Sequence, residues 1–152
     1  MSRHAKKRWV LVIVLAAVIA AAVAVAEVRH EMRRNLSVNP NTDGVSHVTY
    51  FTPDSGSETI QYDENREVID SALENLAGEY TYVRRASTAG TAGGGPHSIS
   101  LYEREGNLLD TIYYRDKCVW VKTGENAYYC YEKNGETLDL TEFEKFMENN
   151  GK

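Results

Sequence analysis

Three rhythms of apolar and polar residues follow one another along the chain. The first is Trp9–Ala26 (WVLVIVLAAVIAAAVAVA), eighteen residues without a charge, Gly or Pro. As a helix this run rises about 27 Å, close to the ~30 Å hydrocarbon core of a bilayer. It is apolar on every side, so it does not read as an amphipathic surface helix. Beyond it, Val28, Met32 and Leu36 recur every four residues among charges, which predicts that the helix continues as a stalk. Residues 35–46 are polar, contain Pro40 and Gly44, and read as a linker. Asn39, Asn41, Asp43 and Gly44 copy the opening of a calcium loop, but its twelfth position, which needs a bidentate Glu, is Tyr50. A plain turn is expected there.

The second rhythm is helical and the third alternates. His47–Thr52 predicts a first strand, ended by Pro53 and an Asp-Ser-Gly-Ser turn. Asp63 then offers an N-cap, and Val68, Ile69, Ala72, Leu73 and Leu76 form one apolar stripe that ends before Gly78. Strands are expected at 80–86, 98–105, 108–115, 117–123 and 126–133. The turns between the last four are too short for anything but antiparallel hairpins. Asn134-Gly135 suggests a further tight turn, and Thr141 with Glu144 suggests a capping box opening a final helix whose apolar face is Phe143, Phe146 and Met147.

Hairpin registers follow from the loops. Two-residue loops at 106–107 and 116–117 set Leu101 opposite Ile112, Ile99 opposite Tyr114, and Tyr114 opposite Val119. An odd-length loop at Gly124 sets Val119 opposite Tyr129 and Val121 opposite Ala127. Ile99, Leu101, Ile112, Tyr114, Val119, Val121, Ala127 and Tyr129 then share one face, against which the helix stripe should pack. The expectation is an α+β chain: an N-terminal transmembrane helix, then a small domain with one helix on an antiparallel β-meander and a short C-terminal helix. Its parts are a basic cytoplasmic N-terminus (1–8), the transmembrane segment (9–26), a helical stalk and linker (27–46) and an extracytoplasmic domain (47–152).

Charge sharpens this division. Residues 1–34 hold seven Lys/Arg against two Glu, whereas residues 45–152 hold ten against nineteen Asp/Glu. Arg3, Lys6, Lys7 and Arg8 precede the apolar run and hold the N-terminus in the cytoplasm, so the domain is placed outside. The bilayer itself is thus the first expected partner, through Trp9–Ala26. The rival reading is a cleaved signal peptide, with Ala24-Val25-Ala26 as the site and Glu27 as the first mature residue; the protein would then be secreted. A domain this acidic offers no basic patch to phosphates, which argues against nucleic acid.

The candidate chemistry is sparse. The predicted register puts Tyr102, Tyr113, Trp120 and Tyr128 on the sheet face away from the helix, where an aromatic row can stack on a sugar, a peptide or an envelope protein. It also sets Cys118 directly across from Cys130, and an oxidising compartment favours a disulfide between them. Residues 87–96 (STAGTAGGGP) read as a flexible loop able to act as a lid. Gly-x-Ser-x-Gly, His-Glu-x-x-His and Ser-x-x-Lys are absent from the sequence. His47 and His97 are the pair that a small hydrolase or metal site would have to use. No cofactor is expected, and the leaning is toward a non-enzymatic binding module.

The stretch from Leu108 to Glu144 (LLDTIYYRDKCVWVKTGENAYYCYEKNGETLDLTEFE), behind a basic start, an apolar run and a helix, resembles small extracytoplasmic domains of Gram-positive bacteria, membrane-anchored or secreted. The resemblance covers residues 45–147 and lies in layout and aromatic pattern, with the Gly loop and the Cys pair as departures. It implies an envelope location, with an envelope protein or the cell wall as partner, and brings no activity with it.

Overall fold

The computed structural model describes residues 3–88 and 95–150, and within the first helix the side chains of residues 12–27. The chain divides into two units, 1–34 and 35–152. The first is α1 (Arg3–Arg34), a single helix of 32 residues. Val12, Ile13, Leu15, Val18, Ile19 and Val23 are each more than half exposed. Among the described residues no helix is long and apolar enough to cross a membrane. The described side chains of α1 take in only part of the Trp9–Ala26 run.

The second unit is α+β. Eight strands, β1 (Asn35–Val38), β2 (His47–Thr52), β3 (Gly56–Gln61), β4 (Gly78–Ser87), β5 (His97–Tyr102), β6 (Leu108–Arg115), β7 (Cys118–Lys122) and β8 (Ala127–Lys133), form one antiparallel sheet. The strand order is β1-β4-β8-β7-β6-β5-β2-β3. The chain therefore begins at one edge, crosses to the other for the β2–β3 hairpin, and returns through α2 (Arg66–Leu76) to β4. The β5–β8 meander closes the gap between β2 and β4, and α3 (Thr141–Asn150) follows it.

Two strands depart from the expected layout. Leu36 belongs to β1, not to a continuing helix: Asn35–Val38 pair with Gly78–Thr81 of β4, and Leu36 and Val38 lean on the core. The segment read as linker thus opens with an edge strand. β3 alternates inward Glu58 and Ile60 with outward Ser57, Thr59 and Gln61, a period of two hidden by its polar composition. Thr49 and Thr59 share a hydrogen bond of 3.0 Å between their hydroxyls across this hairpin. The Asn-Asp-Gly segment is a turn, with Gly44 at φ 78° and the Asp43 amide donating to Asn41 Oδ1.

The expected stripe is the buried side of α2: Ile69, Ala72, Leu73 and Leu76 are buried and Val68 is partly so. The helix starts later than expected, with Asn65 at the N-cap; Asp63 instead pairs with Arg66 at 2.9 Å. Its last carbonyls are satisfied by tertiary partners, since Tyr80 Oη donates to Leu76 O at 2.6 Å and Lys133 Nζ to Asn75 O at 2.9 Å. A cation there also suits the negative end of the helix dipole. At the start of α3 the Thr141 amide donates to Asp139 Oδ1, so Asp139 caps the helix and Glu144 is released from the expected box.

The β6–β7 turn has the expected two residues, with Asp116 left-handed at φ 54°, and sets Tyr114 opposite Val119. The neighbouring loops are longer than expected. Ile99 faces Ile112 and His97 faces Tyr114, while Val119 faces Tyr131 and Val121 faces Tyr129. Both corrections are slips of two residues. A slip of two keeps every side chain on its face, because the period of a strand is two. Ile99, Leu101, Ile112, Tyr114 and Val119 accordingly join Ile69, Leu76, Phe143 and Met147 in one core, with Val121 and Tyr129 packed at its margin. Ala127 is the exception, exposed at the end of its turn. Residues 134–140 form no strand after the Asn134-Gly135 turn.

Candidate functional site

The predicted aromatic row is assembled but only partly displayed. Tyr113 and Trp120 are cross-strand partners, and Tyr128 lies diagonal to Trp120, whose direct partner is Cys130. Ring centroids are 5.8 Å apart for Tyr113–Tyr128 and 5.4 Å for Trp120–Tyr128. With Ala86, Cys118 and Cys130 the three rings make a second apolar cluster on the far side of the sheet. Trp120 is 6% and Tyr128 8% exposed. Little of Trp120 or Tyr128 is left for a ligand, while Tyr113 is partly exposed. Tyr102 stands apart from them, stacked flat on His47 at 5.0 Å.

The register also corrects the cysteine pair. Cys118 faces Glu132 and Cys130 faces Trp120, so the two are diagonal rather than opposite, and both thiols are free. Diagonal Cβ atoms on a sheet lie farther apart than the ~4 Å a disulfide requires. Burial pushes both thiols up, Cys118 and Cys130 alike, which disfavours the thiolate needed for redox chemistry.

The two histidines named as a possible site do not meet. His47 pairs with Tyr102 at one end of β5, and His97 begins the other end. Five residues of strand separate them, roughly 16 Å at ~3.3 Å per residue, and the odd offset puts them on opposite faces. What His97 meets instead had no local signal in the sequence. Its Nδ1 is 2.8 Å from Tyr50 Oη and 3.4 Å from Glu144 Oε1, and Tyr114 Oη donates to the same Glu144 oxygen at 2.9 Å. Four residues from β2, β5, β6 and α3 thus meet at one point. Burial pushes Tyr50 up to about 12, partly opposed by its hydrogen bond with Tyr114, and burial also raises Tyr114. Both remain neutral hydroxyls near pH 7. When His97 is neutral with Nδ1 unprotonated it accepts from Tyr50; when charged it forms an ion pair with Glu144. This arrangement ties α3 to the sheet. A shallow pocket of about 330 Å³ lies beside it, bounded by His97, Arg115, Asp116 and Thr141.

The larger concavity, about 670 Å³, lies between α2 and α3. Val68, Ala72, Leu140, Phe143 and Phe146 supply its apolar floor, with Val68 and Phe146 only partly buried. Glu64 and Glu67 line it from α2, and Asp139 and Glu142 from the start of α3. Among the described residues no Lys or Arg lines it. The helix stripe and the Phe143-Phe146 pair were legible in the sequence. Their meeting along one groove was not, because it depends on where the sheet places two helices far apart in the chain. Among the described residues no group of three or more His, Cys, Asp or Glu is placed to hold a metal ion. Of the expected glycine loop at 87–96, Ser87 ends β4 opposite Ala127, and residues 89–94 lie outside the described residues.

No family model, curated protein or solved structure matches the chain.

Proposed function

We propose that this protein is a membrane-tethered, extracytoplasmic interaction module without catalytic activity, anchored by Trp9–Ala26 with its N-terminus in the cytoplasm. The observation that carries the reading is the charge-free apolar run inside a 32-residue helix, with four basic residues before it. A helix whose valines, isoleucines and leucine stand open to solvent on all sides is costly in water, at ~25 cal/mol per Å² of apolar surface. A bilayer removes that cost. The unbroken helix through Ala26 and Glu27 supports retention over cleavage, since a protease must bind its substrate extended. The acidic domain then stands on the outer side, in keeping with the Gram-positive envelope domains that its layout resembles.

The test is expression of the full chain in a bacterial host, followed by fractionation, protease treatment of intact cells and intact-mass analysis. The expected result is an uncleaved species in the membrane whose domain is digested from outside. A mature form in the medium that begins at Glu27 would replace the anchor with a secreted protein of the same fold. A species found in the cytosol would refute both.

A further inference from the structure

We infer that the groove between α2 and α3 is a docking site for a cationic amphipathic helix of a partner protein. This deepens the interaction-module reading and rests on it. The groove joins two features that a basic helix complements together. Its floor offers partly buried Val68 and Phe146 above Ala72 and Phe143, which suits apolar anchors spaced i, i+3/i+4, i+7. Its walls carry Glu64 and Glu67 on one side and Asp139 and Glu142 on the other, without a basic residue in the lining among the described residues. Arg66, beside Glu67, is held by Asp63 at 2.9 Å and lies over the Tyr62 ring at 5.1 Å, and Lys145, beside Phe146 and near Asp139, stays outside the lining.

Charge complementarity decides the occupant. An acidic helix would face four carboxylates and be repelled, whereas Lys or Arg flanking the apolar anchors meet carboxylates on both walls. The excess of nineteen acidic over ten basic residues from 45 to 152 steers a basic segment toward the domain before contact. The other face of the sheet offers less apolar surface, because Trp120, Tyr128 and Cys130 are buried there and Tyr113 is partly so.

The test uses the full chain in nanodiscs of zwitterionic lipid, with empty discs as blank. The probes are a fluorescent eighteen-residue Leu/Lys peptide with Leu at helical spacing, its Leu/Glu twin and a scrambled Leu/Lys peptide. The expected result is saturable micromolar binding of the first probe alone. Glu67→Lys combined with Glu142→Lys should weaken it tenfold or more, and so should Phe146→Ser. The two Glu positions are exposed, so the charge reversal keeps the fold even if Phe146→Ser loosens α3, and circular dichroism checks both. Equal binding of the scrambled peptide, survival of binding in the charge-reversed variant, or no saturable binding would overturn the proposal. So would self-association of the chain that the same variants abolish, which would make a second copy the occupant. Binding here is indifferent to topology in cells, so failure of the anchor and failure of the groove are read separately.

Discussion

Tyr50, Tyr80 and Tyr114 show what burial does to a single group. All three rings are at most 3% exposed, and Tyr80 has its hydroxyl on the Leu76 carbonyl at 2.6 Å. Tyr50 and Tyr80 are pushed up to about 12, burial being the main cause for both, and Tyr114 is raised for the same reason. In an unfolded chain a tyrosine gives up its proton near ~10. Because the folded groups keep theirs longer, their contribution to stability is complete below about pH 10 and is lost as pH climbs through 12. A tyrosinate absorbance titration is expected to show a fraction of the ten tyrosines ionising only near or above pH 12, together with unfolding. Tyr80→Phe should lower stability near pH 7, because the Leu76 carbonyl loses its donor, and should flatten the fall in stability between pH 10 and 12. Titration of all ten rings near pH 10 in the folded protein would contradict the packing described.

At the scale of elements, α3 is held in two ways of unequal strength. Met147 and Phe143 are buried at 0% and 3% exposure, while Glu144 reaches Tyr114 and His97 from a side chain that is 32% exposed. Apolar burial should dominate. Met147→Ala is expected to cost about 2–5 kcal/mol by urea denaturation, and Glu144→Gln about 1 kcal/mol after allowance for solvent screening. A larger loss for Glu144→Gln than for Met147→Ala would show that the polar tie, rather than the core, positions α3. Glu144 also illustrates the limit of local reading. Thr-x-x-Glu predicts a capping box, but Asp139 is nearer to the Thr141 amide, and Glu144 goes to a tyrosine from a distant strand.

For the whole molecule, every member of both apolar clusters among the described residues lies between Leu36 and Met147. None comes from α1. The domain is therefore expected to melt cooperatively and at the same midpoint with or without residues 1–34, measured by circular dichroism on the full chain in detergent and on residues 35–152. A drop of more than a few degrees on truncation would mean that α1 supports the domain.

Much of this architecture was legible in the sequence because it rests on periodicity. The α2 stripe, strands β2 and β6 to the residue, and the faces of the meander all follow from where apolar side chains recur. Faces survive a two-residue slip; partners do not. That is why the core residues could be read while the direct Cys118–Cys130 and Trp120–Tyr128 partnerships had to be corrected. Strands β1 and β3 escaped notice because their outward positions are polar and each finds its pairing far from any local turn signal or, for β3, beside a turn that looked like the end of a strand.

The sequence alone determined the apolar run of Trp9–Ala26, the charge contrast between the two halves and the binary pattern of the sheet, since each depends only on which residue types stand near one another in the chain. The tertiary structure decided what meets what. It joined β1 to β4, buried Trp120 and Tyr128 in one cluster, set His97 beside Glu144 and laid α2 along α3. Those contacts depend on loop lengths and strand order, which act over tens of residues and leave no period in the sequence.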